Sequence, residues 1–319
     1  MAGAFPRGPP GPPAPRPAPA AVPAGLNPRL TYWAYRAGAG VAAALPEAAA
    51  RPVARGLARA AVPLLGRRGA MVARHAARVA GRSLTPAEEK AAVRASVESY
   101  ARYWMESLRL RRIDHARIDA QFSIEGLEHI EGAREAGTGA VLAIPHVGGW
   151  DVGGAWFVAH GFPLAVVVEP VEPPELFEWF AGLRRSFGLK VIALGTGAGT
   201  EVLRCLRANE VVGLLCDRDI GGGGVEVEFF GERTTLPGGP ATLALRAGAP
   251  VLPTAIYFDG PRHRAVVRPP IDFARTGRFR DDVARLTQAI ATELEALIRP
   301  APDQWHLFQP NWPSDREGG

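Results

Sequence analysis

The sequence predicts an α/β fold: a mostly parallel central sheet flanked by helices, with a helical N-terminal region that associates with a membrane. Three observations predict it. From residue 121 onward, short apolar runs alternate with stretches of helical period, the pattern of strand–helix–strand units. Before that point, residues 28–110 show helical periodicity only. Positive charge is also concentrated there. Residues 1–82 hold twelve Arg and one acid, Glu47, a net +11, whereas the whole chain of 319 residues carries +5.

Residues 1–27 are mostly Pro, Ala, Gly and Arg. They are predicted to be disordered, because that composition buries too little apolar surface to offset chain entropy. Over residues 28–66, Leu30, Tyr32, Trp33, Tyr35 and Val41 are followed by Arg51, Arg55 and Arg59, spaced by four on one helical face beside Val53, Leu57 and Ala61. An apolar face with aromatic residues and Arg but no acid suits a helix lying on an anionic membrane surface. A domain helix with a solvated Arg face fits the same spacing. Residues 68–82 read as another basic helix. The clearest helix is 85–110: Thr85 caps it, Pro86 fits its first turn and Glu88 completes a capping box. Val93, Val97, Tyr100, Trp104 and Leu108 form its core stripe.

Beyond residue 121, strands are predicted at Ala140–Ile144, Leu164–Val168, Lys190–Leu194, Val211–Leu215, Val225–Phe230, Val251–Tyr257 and Ala265–Arg268. Helices are predicted at Leu127–Glu135, Asp151–His160, Pro174–Phe187, Thr200–Ala208, Gly239–Ala247 and Asp281–Arg299. The expected partition is a tail 1–27, a helical membrane-associating part 28–110, an α/β core 111–312 and a disordered tail 313–319.

Composition excludes several classes. Cys205 and Cys216 make no disulfide framework, and no Cys/His cluster has zinc-ligand spacing, so no bound metal or cofactor is expected. The apolar run Ala37 to Pro46 is about half of the roughly 20 residues a membrane span needs. The basic residues form no nucleic-acid motif, and Lys90 and Lys190 are the only lysines, so nucleic acid is not an expected partner.

The chemistry concentrates in AVLAIPHVGGWDVGGAWF. An apolar strand ends at Pro145, and His146 follows, then Val147-Gly148-Gly149-Trp150 and Asp151. A titratable His at the carboxyl end of a strand in an open α/β sheet is well placed for chemistry. His-x4-Asp also arises by chance, and an acid in a helix first turn is favoured by the macrodipole alone; the strand, the glycines and the further polar segments distinguish this case. Glu169 ends the next strand, and Arg184 and Arg185 close the helix after it, where an Arg holds a phosphate or carboxylate or simply complements the helix C-terminus. Asp217 and Asp219 follow a third strand end, then Gly221 to Gly224, then Glu226 and Glu228 on one strand face. The carboxylate that orients His146 is one of Asp151, Asp217, Asp219 and Glu226. Pro237-Gly238-Gly239-Pro240 opens a helix whose amides suit an anion.

The stretches RYWMESLRL (102–110), VLAIPHVGGWDVGGAW (141–156), CDRDIGGGGVEVEFFGERTTLPGGPATLA (216–244) and DQWHLFQPNW (303–312) resemble, in order, the bacterial lipid A lauroyl and myristoyl acyltransferase family. Within it the chain is most similar to the actinobacterial phosphatidylinositol mannoside branch. Gly149 is a departure, since relatives carry Asn there. The resemblance implies a monomeric O-acyltransferase, peripheral on the cytoplasmic face of the plasma membrane. Acyl-CoA would be its co-substrate, and a long-chain group, typically palmitoyl, would pass to a mannose hydroxyl of mannosylated phosphatidylinositol. It implies His146, Asp151 and Glu226 as the catalytic set and Glu169, Arg184, Asp217, Asp219, Gly148, Gly149 and Trp150 as substrate-binding residues. His146 would act as general base. Amides of the Val147–Gly149 loop would hold the oxyanion. Trp150, Trp156, Phe157 and Phe180 are candidates for the acyl groove.

Overall fold

A computed structural model describes residues 28–112 and 115–316; the expected tail 1–27 lies outside the described residues. Four helices come first: α1 (Pro28–Ala44), α2 (Glu47–Ala61), α3 (Arg67–Ala80) and α4 (Pro86–Arg109). The α/β part follows as α5 (His115–Ala120), β1 (Phe122–Glu125), α6 (Leu127–Glu135), β2 (Ala140–Ile144), α7 (Trp150–Ala159), β3 (Leu164–Val168), α8 (Pro174–Arg185) and β4 (Lys190–Ala193). It continues with α9 (Ala198–Arg207), β5 (Val211–Leu215), β6 (Val225–Phe229), β7 (Glu232–Leu236), α10 (Gly239–Ala247), β8 (Val251–Asp259), β9 (Arg262–Val267) and α11 (Phe279–Ile298).

Seven strands form one sheet in the order β1-β9-β8-β2-β5-β3-β4. Every neighbouring pair is parallel except β8 and β9, which a tight turn joins as an antiparallel hairpin. The central strands are apolar throughout because both faces are covered. In β2, Val141 and Ala143 pack toward α9, α10 and α11, while Leu142 and Ile144 pack toward α6 and α7. This is the two-residue alternation of a strand.

The helix α4 begins as predicted. The Thr85 hydroxyl accepts from the Glu88 amide, and the Glu88 carboxylate accepts from the Thr85 amide. Its stripe does not simply fill the core: Tyr100 and Trp104 line a cavity.

Three expectations are corrected. The arginine face of α2 is solvated but ion-paired rather than free. Arg55 and Arg59 bridge to Glu98, and Arg51 bridges to Glu106, both on α4. The alanines Ala50, Ala54 and Ala58 are buried beside them, and Val53 and Leu57 are exposed. The acids of α4 decide which face turns inward. Next, Val225–Phe229 does not join the main sheet but pairs with β7 in a separate two-stranded hairpin. No crossover helix separates it from β5 to return it to the sheet. Finally, the expected tail at 313 starts too early: Pro313–Asp315 form a 3-10 turn and Asp315 is buried. Its carboxylate accepts from the amides of Asn311 and Trp312 and pairs with His75 and Arg78 of α3.

Candidate active site

The strands β2 and β5 lie side by side in parallel with Ile144 opposite Leu215. Each is followed by one intervening residue, so the register delivers His146 and Asp217 to the same point beyond the sheet. The His146 ring Nδ1 lies 2.5 Å from Asp217 Oδ1, and the His146 amide donates to Oδ2 at 3.0 Å. Asp217 is fully buried. The Trp305 indole donates to Oδ2 at 2.7 Å, and the Asn311 side chain donates to the Asp217 carbonyl. Burial alone would raise the Asp217 carboxyl; the His146 ring and the donors from His146 and Trp305 outweigh it and hold it at about 2. An ionised carboxylate on Nδ1 requires that nitrogen to carry a proton. Nε2 is then the basic nitrogen, at a cavity of about 1030 Å³ that His146 lines.

Asp151 does not orient His146. It sits in the first turn of α7 and accepts from Arg184 through two parallel bonds of 2.9 and 3.1 Å, and from the Tyr103 hydroxyl at 2.9 Å. Burial opposes the Arg184 charge, but Asp151 and Tyr103 outweigh it and raise its pKa further. Burial, then the Asp151 charge, push the Tyr103 hydroxyl well above its usual range, so it remains a donor. The pair ties α7 to α8 and α4 along one wall of the cavity.

The remaining expected residues separate. Glu169 directly follows β3 and accepts from Arg218 at 3.2 Å on the cavity wall. Asp219 accepts from the amides of Gly222, Gly223 and Gly224 and from the Thr235 hydroxyl, so it shapes the glycine loop. Glu226 is not at the site: its side chain is 68% exposed on the hairpin and pairs with Arg233 at 3.3 Å. Strand alternation turns Val227 and Phe229 inward and both glutamates of β6 outward.

The Val147–Gly149 loop offers no amide for an oxyanion, which corrects that expectation. Val147 donates to the Pro145 carbonyl, Gly148 to Gln304 and Gly149 to Ile256. Both glycines are there for fit. Gly148 has φ +61°, and a Cβ on it would lie 2.1 Å from the Ile256 oxygen. A Cβ on Gly149 would lie 2.9 Å from the His263 ring. The imidazole of His263 thus fills the space a side chain at 149 would need. It bonds Glu106 at 2.8 Å, and Arg102 and Arg51 bind the same carboxylate. Burial would raise Glu106, but His263 and Arg102 bring it down to about 2.

Trp150 stands edge-on to His146 at 5.5 Å between ring centres and stacks on Tyr103 at 4.0 Å. Trp150, Phe157 and Phe180 line the cavity; Trp156 is instead in the core, stacked on Phe122 and donating to Asp119. Sequence reading did not single out Tyr103, Trp305 or His306, although each lies in a quoted family stretch. His306 is buried with Ser99 on its Nε2, and burial, followed by the proximity of His146, lowers it to about 3. It is a neutral neighbour of the His146 ring.

Asp217 and Glu106 both ionise lower in the folded chain than ordinary carboxyls, so the unfolded chain binds more protons in acid. Their contribution to stability is complete above about pH 5 and is lost as the pH falls toward about 2. The thermal midpoint, measured by circular dichroism, is expected to hold from neutral pH to about 5 and fall below it. Glu106→Gln is expected to be less stable at neutral pH and to show a shallower acid slope; an unchanged slope would remove Glu106 from this account.

The family profile described as bacterial lipid A biosynthesis acyltransferase matches residues 24–314. A phosphatidylinositol mannoside acyltransferase of Mycolicibacterium smegmatis is 38% identical over 295 residues, covering 91% of this chain and 94% of the relative. One of Mycobacterium tuberculosis H37Rv is 40% identical over 295 residues, covering 89% of each. A lipid A biosynthesis acyltransferase of Haemophilus influenzae is 28% identical over 217 residues, covering 66% of this chain and 64% of the relative. With a site built on His146 and Asp217 at paired strand ends, and a profile match across nearly the whole described chain, this protein belongs to the bacterial lipid A biosynthesis acyltransferase family and is an acyltransferase.

Proposed function

We propose that this enzyme moves a long-chain acyl group, palmitoyl by preference, from acyl-CoA to a mannose hydroxyl of phosphatidylinositol mannoside. The observation that carries the reading is the His146 ring: Nδ1 is bound to a buried carboxylate, and the ring lines a cavity of about 1030 Å³. The names of the mycobacterial relatives support the acceptor class. Nε2 takes the proton of the sugar hydroxyl as its oxygen attacks the thioester carbonyl. Asp217 stabilises the imidazolium that results. When the tetrahedral intermediate collapses, the C–S bond breaks, and the proton on Nε2 passes to the departing CoA sulfur. The Asp151–Arg184 pair keeps the cavity wall beside His146 in place.

The acyl chain is assigned to the branch of the cavity on the α7–α8 side of the sheet. Leu142, Leu164, Gly154, Phe157, Leu189 and Gly213 line it, and none offers a side-chain hydrogen bond. A Cβ on Gly213 would be in ordinary contact with Ile144, Val166 and Leu164, so a larger side chain there occupies the branch. Docking to the cytoplasmic face of the plasma membrane is assigned to the exposed apolar residues Leu30, Trp33 and Val41 of α1 and Leu57 of α2. Among the described residues no helix is long and apolar enough to cross a membrane.

With radiolabelled palmitoyl-CoA and phosphatidylinositol monomannoside, wild type is expected to label the glycolipid, and His146→Ala to lower kcat by roughly 10²–10⁴-fold. Residual activity near wild type would sink His146 as the base. Free palmitate as the sole product would indicate a thioesterase that uses water. In a donor series, Gly213→Val is expected to shift preference toward shorter chains, because each methylene left unburied loses about 0.8 kcal/mol; an unchanged chain-length profile would place the acyl group elsewhere. The double variant Trp33→Asp/Leu57→Asp is expected to lose sedimentation with anionic vesicles while keeping its thermal midpoint. Wild-type sedimentation would move the membrane contact off this face.

A further inference from the structure

The cavity has a second branch. It passes Val167 and Leu214 near the C-terminal ends of β3 and β5, and on the opposite face residues of α9 and α10 line it as a groove. These helices pack together and run parallel: α9 leads from β4 into β5, and α10 leads into β8, which is parallel to β2. Thr200 and Leu203 form one wall, Thr242 and Leu243 the other. The groove ends at Arg246, one helical turn beyond Thr242. Arg246 is exposed and rests on the Phe279 ring, and among the described residues it has no acidic partner. Arg207, one turn beyond Leu203, is exposed and also lacks one. The arginines nearer His146 differ, since Arg184 and Arg218 are each neutralised by a carboxylate.

We propose that this groove holds the pantetheine arm of the acyl donor, and that Arg246, flanked by Arg207, binds the phosphates of its nucleotide half. The inference rests on the acyl-CoA reading above and extends it to named residues. An unneutralised guanidinium group at the end of a groove lined with hydroxyls and leucines, with a second one turn beyond Leu203 on the facing helix, matches a neutral amide chain that ends in phosphates. The phosphate of the lipid acceptor has the same chemistry, but the position favours the water-soluble nucleotide. Tyr35 of the exposed apolar helix α1 packs on Trp104 and on Phe180 of α8. That places α1 on the α7–α8 side of the sheet, and the Arg246 groove opens on the other.

The test compares palmitoyl-CoA with S-palmitoyl-pantetheine, which carries the thioester without the nucleotide, for wild type, Arg246→Ala and Arg207→Ala/Arg246→Ala. The readout is the ratio of the two donors' KM values at saturating acceptor, with thermal midpoints recorded to establish folding. Wild type is expected to prefer palmitoyl-CoA, and Arg246→Ala to reduce that preference about tenfold, the size of one charge-assisted contact. The double variant is expected to reduce it further, with the KM for phosphatidylinositol mannoside unchanged. A ratio unaltered by both variants would overturn the proposal, and so would a rise confined to the acceptor KM, which would give Arg246 to the lipid phosphate. A wild-type enzyme that uses neither thioester would overturn the acyl-CoA reading and this proposal with it.

Discussion

The bond between His146 and Asp217 is the constraint on which the rest of the structure depends. A fully buried carboxylate is costly unless its oxygens are satisfied and a positive or polarised partner stands beside it. Here the His146 amide, the His146 ring and the Trp305 indole all converge on Asp217. Two of these donors come from the β2 end, and the third comes from a segment nearly ninety positions further along the chain. The C-terminal stretch is therefore part of the site. The 3-10 turn Pro302–Gln304 precedes Trp305, and beyond it Asn311 bonds the Asp217 carbonyl.

That stretch is held in turn by α3. His75 faces the Leu307 carbonyl with one ring nitrogen and the Asp315 carboxylate with the other, and Arg78 lies over the buried Trp312 ring. The basic helix at 67–80 thus spends its inward charge on a carboxylate near the chain's end. The same logic applies to α2, whose arginines are taken up by Glu98 and Glu106. The positive charge of α3 thus ties the helical part to the α/β part, and that of α2 ties the helical part together. The exposed face of α1 and α2 carries apolar residues, Leu30, Trp33, Val41 and Leu57, beside ion-paired arginines.

The sheet divides the cavity. Its C-terminal edge carries the His146–Asp217 pair, and the cavity opens to both faces from there. The α7–α8 side is apolar and walled by the Asp151–Arg184–Tyr103 network, in which each buried polar group has a partner. The α9–α10 side is open and ends in unneutralised charge. Asp151 and Asp217 therefore have different tasks, one fixing a wall and the other fixing the His146 ring.

The sequence by itself determined what depends on neighbours along the chain. Strand and helix periods located β2, β3, β5, α7, α8 and α10 nearly to the residue, because buried apolar runs and capping signals are local. His146 was legible because it directly follows a buried strand. Phe122–Glu125 and Glu232–Leu236 were not legible as strands: the first is a four-residue edge and the second reads as polar, and only cross-strand bonds define them. Four carboxylates were open as partners of His146. Tertiary structure alone chose Asp217, because the choice depends on the lateral register of β2 against β5, which no spacing along one strand encodes. Packing also left Asp151 on α7 to Arg184 on α8, and alternation in the β6–β7 hairpin turned Glu226 to solvent, since the direction of a side chain is set by the strand or helix that carries it and its neighbours.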